Sequence, residues 1–86
     1  MRTIVEEERY QQEIDALRID WQRLDEALTS LTQAVATVPE IFPQVPGTNL
    51  RRILVIGFKG VPPLSVFFSA TETQVIIHSA QVIEQD

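Results

Sequence analysis

The chain has 86 residues and a mass of 9.8 kDa; a chain this short buries roughly 60–65% of its extended surface, room for one core and one domain. Hydrophobic residues make up 44% and charged residues 22%, with no cysteine and one histidine. That composition excludes a disordered chain, a disulfide framework, a thiol nucleophile and any multi-His or Cys-ligated metal site. Seven basic and twelve acidic residues give a net charge of −5, which argues against non-specific nucleic-acid binding.

Thr3, Ile4 and Val5 can form a short strand. Beyond them, apolar residues recur at Tyr10, Ile14, Leu17, Trp21, Leu24, Leu28, Leu31, Val35 and Val38, an alternation of three- and four-residue steps. The period of 3.5 predicts a helical segment over 6–38, with Glu6, Glu7 and Glu8 at the end where a helix favours negative charge. Pro39 ends it, because the residue before a proline disfavours the α region. Two arrangements satisfy the pattern. One is a single helix of about 33 residues, roughly 50 Å long, which needs a partner helix and so a homodimer. The other is a helical hairpin broken near 18–20, with Asp20 as N-cap and Ile19 stapled against Leu24.

Residues 39–49 hold three prolines and a glycine and read as a crossing from helices to sheet. Residues 50–58 read as a strand, with Ile53-Leu54-Val55-Ile56 as an apolar run of the sheet-interior type. Residues 59–63 form a loop. Residues 64–70 form a second strand, 71–74 a turn and 75–83 a third strand. Helices first and strands after predict an α+β domain over 1–86. Its helical part at 3–38 would pack on one face of a small twisted antiparallel sheet at 50–83.

Charge is uneven along the chain. No acid lies between Glu40 and Glu72, so residues 41–71 carry +3 through Arg51, Arg52 and Lys59, against −8 for the rest. Those three cations are candidates for an anion contact; their ordinary role is to keep a sheet edge soluble. No Gly-rich phosphate loop, zinc-protease helix or nucleophile elbow is present, and no cofactor is implied. The acidic clusters at 6–8 and 25–26 read as solvated helix faces, and Trp21 as core. His78 sits in an apolar strand, where a satisfied sheet histidine is the ordinary reading and a proton shuttle the sharper one. Nothing flags a nucleophile beside it, so a His-based triad is not expected. Phe67 and Phe68 alternate faces, one toward the helices and one toward a partner or solvent. No apolar run reaches the ~18–20 residues of a membrane helix. Residues 1–5 lead into charge, not into a signal-peptide core. A cytoplasmic location is expected, with no membrane partner.

The order of these pieces resembles the RelE/ParE superfamily of bacterial toxins from type II toxin–antitoxin and plasmid-stabilisation systems. The resemblance rests on Leu28, Leu31, Val35 and Val38-Pro39-Glu40, then Phe42-Pro43-Gln44-Val45-Pro46-Gly47. It continues through Leu50-Arg51-Arg52-Ile53-Leu54-Val55, Gly57-Phe58, Val66-Phe67-Phe68 and Val75-Ile76-Ile77. It implies a helical hairpin on a twisted antiparallel sheet and an antitoxin as partner. RelE-like members cleave messenger RNA on the ribosome with basic residues; ParE-like members bind gyrase. Here Ser65 stands where the family places an arginine, and the end, Val82-Ile83-Glu84-Gln85-Asp86, is acidic. A missing donor at a transition-state charge typically costs ~10²–10³-fold. The resemblance therefore implies protein binding more than ribonuclease activity. Were the chain a nuclease, Arg51, Arg52 and Lys59 would hold phosphate and His78 would shuttle a proton. A structural domain that dimerises through the helical seam is the third reading.

Overall fold

In the computed structural model of the chain the glutamates at 6–8 do not all belong to the helix expected from residue 6: Glu6 ends a strand, Glu7 is extended and Glu8 opens the helix. The structure describes residues 2–17, 21–55, 57 and 61–83, with the side chains of 21, 23–25, 27, 28, 30 and 31 outside that description. Strand β1 (Thr3–Glu6) is followed by α1 (Glu8–Ala16), α2 (Trp21–Thr37), β2 (Arg51–Val55), β3 (Leu64–Ala70) and β4 (Gln74–Val82). The helical region is two helices, not one continuous rod. The break at 18–20, Asp20 as cap, the Ile19–Leu24 staple, the placement of Trp21 and the apolar seam through Leu24, Leu28 and Leu31 lie outside the described residues.

The four strands form one sheet in the order β1-β4-β3-β2. β2, β3 and β4 pair antiparallel, as short connections require. β1 pairs parallel to β4, Thr3 beside Gln74 and Glu6 beside Ile77. The sheet is therefore mixed, and the all-antiparallel expectation holds only for 51–82. Parallel pairing needs a long crossover between the partners, and everything from α1 to β3 lies between β1 and β4.

One face of the sheet carries Ile53, Val55, Leu64, Val66, Phe68, Val75, Ile77 and Ala80, which form the core with Tyr10 and Ile14 of α1 and Val35 of α2. Tyr10 and Ile14 are four residues apart and so share one helical face. At the far end of α2, the Ala36 carbonyl accepts the Arg2 backbone N–H at 3.2 Å. The Arg2 guanidinium donates to Thr71 O at 2.7 Å, to Ala36 O at 3.4 Å and to Glu40 Oε1 at 3.5 Å. One arginine thus joins the start of β1, the end of α2 and the β3–β4 turn. Val38, expected on the helical seam, lies outside α2 with a non-helical backbone ahead of Pro39 and is exposed.

The crossing is more ordered than a linker. Pro39–Ile41 is a 3₁₀ turn, and Phe42 stands edge-on to Phe68 with ring centroids 5.8 Å apart. Gly47 takes φ +77°, a left-handed turn position that glycine fills without strain. The Pro43 carbonyl accepts the Arg52 N–H at 3.0 Å, and the Val45 N–H donates to Leu50 O at 2.8 Å. These bonds cover the start of β2's outer edge, a position that would otherwise leave backbone groups unpaired.

β2 is an edge strand, not the interior strand its apolar run suggested. Ile53 and Val55 are buried while Leu54 between them is 55% exposed, because helices cover only one face. Gly57 follows at a close approach: a Cβ there would lie 2.8 Å from Pro63 Cδ and 2.9 Å from Pro63 N. Both atoms belong to a rigid ring, so Gly57→Ala is expected to destabilise the chain by about 1–3 kcal/mol. A lower urea midpoint at unchanged slope is the readout; an unchanged midpoint would mean that 57 and 63 are not held together.

Candidate functional site

The sheet face opposite the core carries the exposed Arg52, Leu54 and Gln81 together with the buried Ser65 and Ser79. Along β3 and β4 the pairing runs regularly from Ala70–Val75 to Phe68–Ile77, then shifts so that Phe67 faces Ser79. His78 is the extra residue. A bulge of this kind turns two successive side chains toward one face and re-aims them. His78 and Ser79 both line the open side here.

His78 lies between two polar partners, one on β3 and one just past the end of β1. Ser69 Oγ lies 2.7 Å from His78 Nε2. Glu7, immediately after β1, contacts His78 Nδ1 through Oε1. Glu7 is also the N-cap of α1, yet its side chain makes no capping hydrogen bond and is spent on the imidazole instead. An ionised carboxylate only accepts, so it selects the tautomer with the proton on Nδ1. Nε2 is then an acceptor, and the Ser69 hydroxyl donates to it. Glu7, His78 and Ser69 form a series across β1, β4 and β3, half-exposed at the Glu7 end, with 47% of its side chain accessible against 30% for His78.

Beside this series is an open cleft of about 260 Å³, lined by Arg9, Leu50, Phe67, His78, Ser79 and Gln81. Ser79 is only 7% exposed, and its Oγ has no hydrogen-bond partner among the described residues. A buried hydroxyl without a partner costs about 1–3 kcal/mol relative to a satisfied one. Arg9, the cation of the cleft, is largely exposed and lies 3.6 Å from Glu13 Oε1.

Of the cations singled out in the sequence, Arg51 and Arg52 lie on opposite faces of the sheet. Arg51 pairs with Phe68, on the helix-covered face. Its guanidinium donates to Phe42 O at 2.7 Å and Glu40 O at 3.4 Å, which fastens the crossing to β2. Arg52 pairs with Phe67 on the open face and is exposed. Lys59 lies outside the described residues. His78 has Ser69 and Glu7 as neighbours in place of these arginines. Arg51→Met is therefore expected to lower stability by about 1–2 kcal/mol through the two lost carbonyl contacts, and Arg52→Met to change it by less than about 0.5. Denaturant melts of the pair check this, and equal effects would contradict the assignment.

Ser69 and Glu7 were not singled out in the sequence. Strand alternation puts Ser69 on the same face as Phe67, and His78 on that of Ile76, but the pairing of Ser69 with Ile76 that joins the two has no local mark. Among the described residues no group of three or more His, Asp or Glu is placed to hold a metal ion, and no helix is long and apolar enough to cross a membrane. No family model matches the chain, and no curated protein matches it.

Proposed function

We propose that this chain is a RelE/ParE-like domain of a type II toxin–antitoxin system that acts in the cytoplasm by protein binding, with an antitoxin as partner and gyrase as a candidate target. The observation that carries the reading is the chemistry of the open sheet face. Among the described strand residues, Arg52 is its one cation, and Leu54, Val5, Ile76 and Phe67 give it an apolar character. Nucleic-acid surfaces draw their affinity from clustered Lys and Arg; a half-apolar face whose described strands contribute one arginine, with Arg9 of α1 at its cleft, suits another protein. The element order supports the family half of the proposal. Both helices stand between β1 and the β2–β4 meander, and the end of α2 returns to the start of β1. A helical hairpin belongs to the same proposal, since α1 leaves the opposite end of β1.

The ribonuclease alternative needs several cations at one place on the sheet. Arg51 is committed to the carbonyls of Phe42 and Glu40, which leaves Arg52 without its neighbour.

Induction of the chain in a bacterial host, with growth and messenger RNA followed together, tests the proposal. Intact messenger RNA is the expected result. Growth arrest under that condition is expected to be relieved by Leu54→Asp on the open face and retained in Arg51→Ala. Fragmented messenger RNA would overturn the protein-binding reading, as would arrest unaffected by Leu54→Asp and by Phe67→Asp, provided both variants fold.

A further inference from the structure

We propose that Ser69 is a nucleophile, activated by His78 and oriented through Glu7, and that the adjoining cleft accepts the short acyl group of a small ester. This inference does not rest on the toxin-family reading; it stands on the geometry of the open face alone.

A serine beside a histidine is common. Three further observations lift this pair above that. The imidazole is engaged at both nitrogens, by Ser69 Oγ at 2.7 Å on Nε2 and by Glu7 Oε1 on Nδ1. That is the order in which a carboxylate fixes a tautomer, a base accepts a proton and a hydroxyl gives it up. The bulge that presents His78 interrupts an otherwise regular ladder, and bulges are over-represented beside active sites. The cleft next to the relay is lined by His78 itself, together with Arg9 and the ring of Phe67. A cleft of about 260 Å³ lies below the ~300–1,000 Å³ of sites for drug-sized ligands, so a short acyl chain fits and a long one does not. The Arg9 guanidinium, largely exposed at the cleft, is the group able to meet the carbonyl oxygen as it gains charge.

In the reaction Ser69 Oγ forms a bond to the acyl carbon while its proton passes to His78 Nε2. His78 returns that proton to the leaving alkoxide as the ester C–O bond breaks, giving the alcohol and an acyl-serine. Water repeats the sequence in reverse, losing its proton to His78 and releasing the carboxylic acid with Ser69 restored. Ser69 and His78 are catalytic residues in this scheme; Glu7 is a positioning residue.

A fluorophosphonate probe reads the first step, because Oγ–P bond formation expels fluoride and leaves a stable adduct that peptide mass mapping locates. The folded chain is expected to label at Ser69. His78→Gln is expected to lower the labelling rate ~10²-fold or more, the usual weight of a general base, while thermal melts show that it still folds. The acetyl ester of 4-nitrophenol is expected to place acetate on the same residue. For Glu7 the readout is the ¹⁵N spectrum of the imidazole: Nδ1 protonated and Nε2 bare in the natural chain, with the Nε2–H tautomer gaining population in Glu7→Ala. Absence of an adduct at Ser69 from folded chain would overturn the proposal. So would an adduct whose rate is unchanged in His78→Gln, or a natural chain with the proton on Nε2.

Discussion

Phe68→Ala is expected to remove about 3–5 kcal/mol of folding stability, the usual cost of emptying a large buried aromatic site. Phe68 has no exposed surface. It pairs with Arg51 on one side and Ile77 on the other, and Phe42 meets its ring edge-on at an interplanar angle of 86°. Its side chain therefore links the central strand to both neighbours and to the crossing, and neighbours fixed from three sides collapse poorly into a cavity. A domain of this size has roughly 5–15 kcal/mol of stability in total, so the melting temperature is expected to fall by about 15–30 °C. Thermal and urea melts check this. A loss below about 1.5 kcal/mol would mean that the crossing does not close over the sheet.

Ile14→Asp is expected to do at least as much damage, by a different mechanism. Tyr10 and Ile14 are the buried residues of α1, and both belong to the core cluster under the sheet. A carboxylate at 14 faces Val and Ile side chains with no partner. Such a charge either stays unpaired, at several kcal/mol, or forces α1 off the sheet. Loss of near-ultraviolet circular dichroism and a broadened unfolding transition are expected. The control is Gln11→Asp on the exposed side of the same helix, expected to lie within about 0.5 kcal/mol of the natural chain. If Ile14→Asp behaves like that control, α1 does not pack where the core requires it.

The elements that could be read from the sequence are those governed by local rules. Residues 64–70 are β3 to the residue, because Val66, Phe67 and Phe68 supply β propensity between Pro63 and a Thr-Glu-Thr turn. β4 starts one residue ahead of its expected place and ends one short. Pro39 sets the end of α2 at Thr37. Pairing choices were not legible. β1 and β4 are separated by almost the whole chain, and nothing local in Thr3, Ile4 or Val5 distinguishes parallel from antiparallel pairing. The run from Ile53 to Val55 looks buried from its composition, yet Leu54 is exposed because it points away from the core face that Ile53 and Val55 share.

The candidate site was less legible than the fold for the same reason. Glu7 and His78 stand 71 positions apart, and their contact depends on β1 joining β4 in parallel. Alternation from the Ser69–Ile76 pair puts His78 on the face of Ser69, and the bulge between Phe67 and Phe68 then sets Ser79, not His78, opposite Phe67. A sequence without glycine at 77–79 gives no local mark for that shift. Arg51 and Arg52 illustrate the converse. Strand alternation, readable in the sequence, divides them between the two faces; that Arg51 fastens the crossing through the Phe42 carbonyl was not readable.

The most direct test of the central claim uses ribosomes programmed with a defined messenger RNA in a purified translation system. The folded chain is added and new RNA ends are mapped by primer extension. The protein-binding account predicts no cleavage above a blank reaction at any concentration up to tens of micromolar. Cleavage that appears only during translation, and that vanishes in Arg52→Ala or His78→Ala, would contradict it and make the open face a ribonuclease surface.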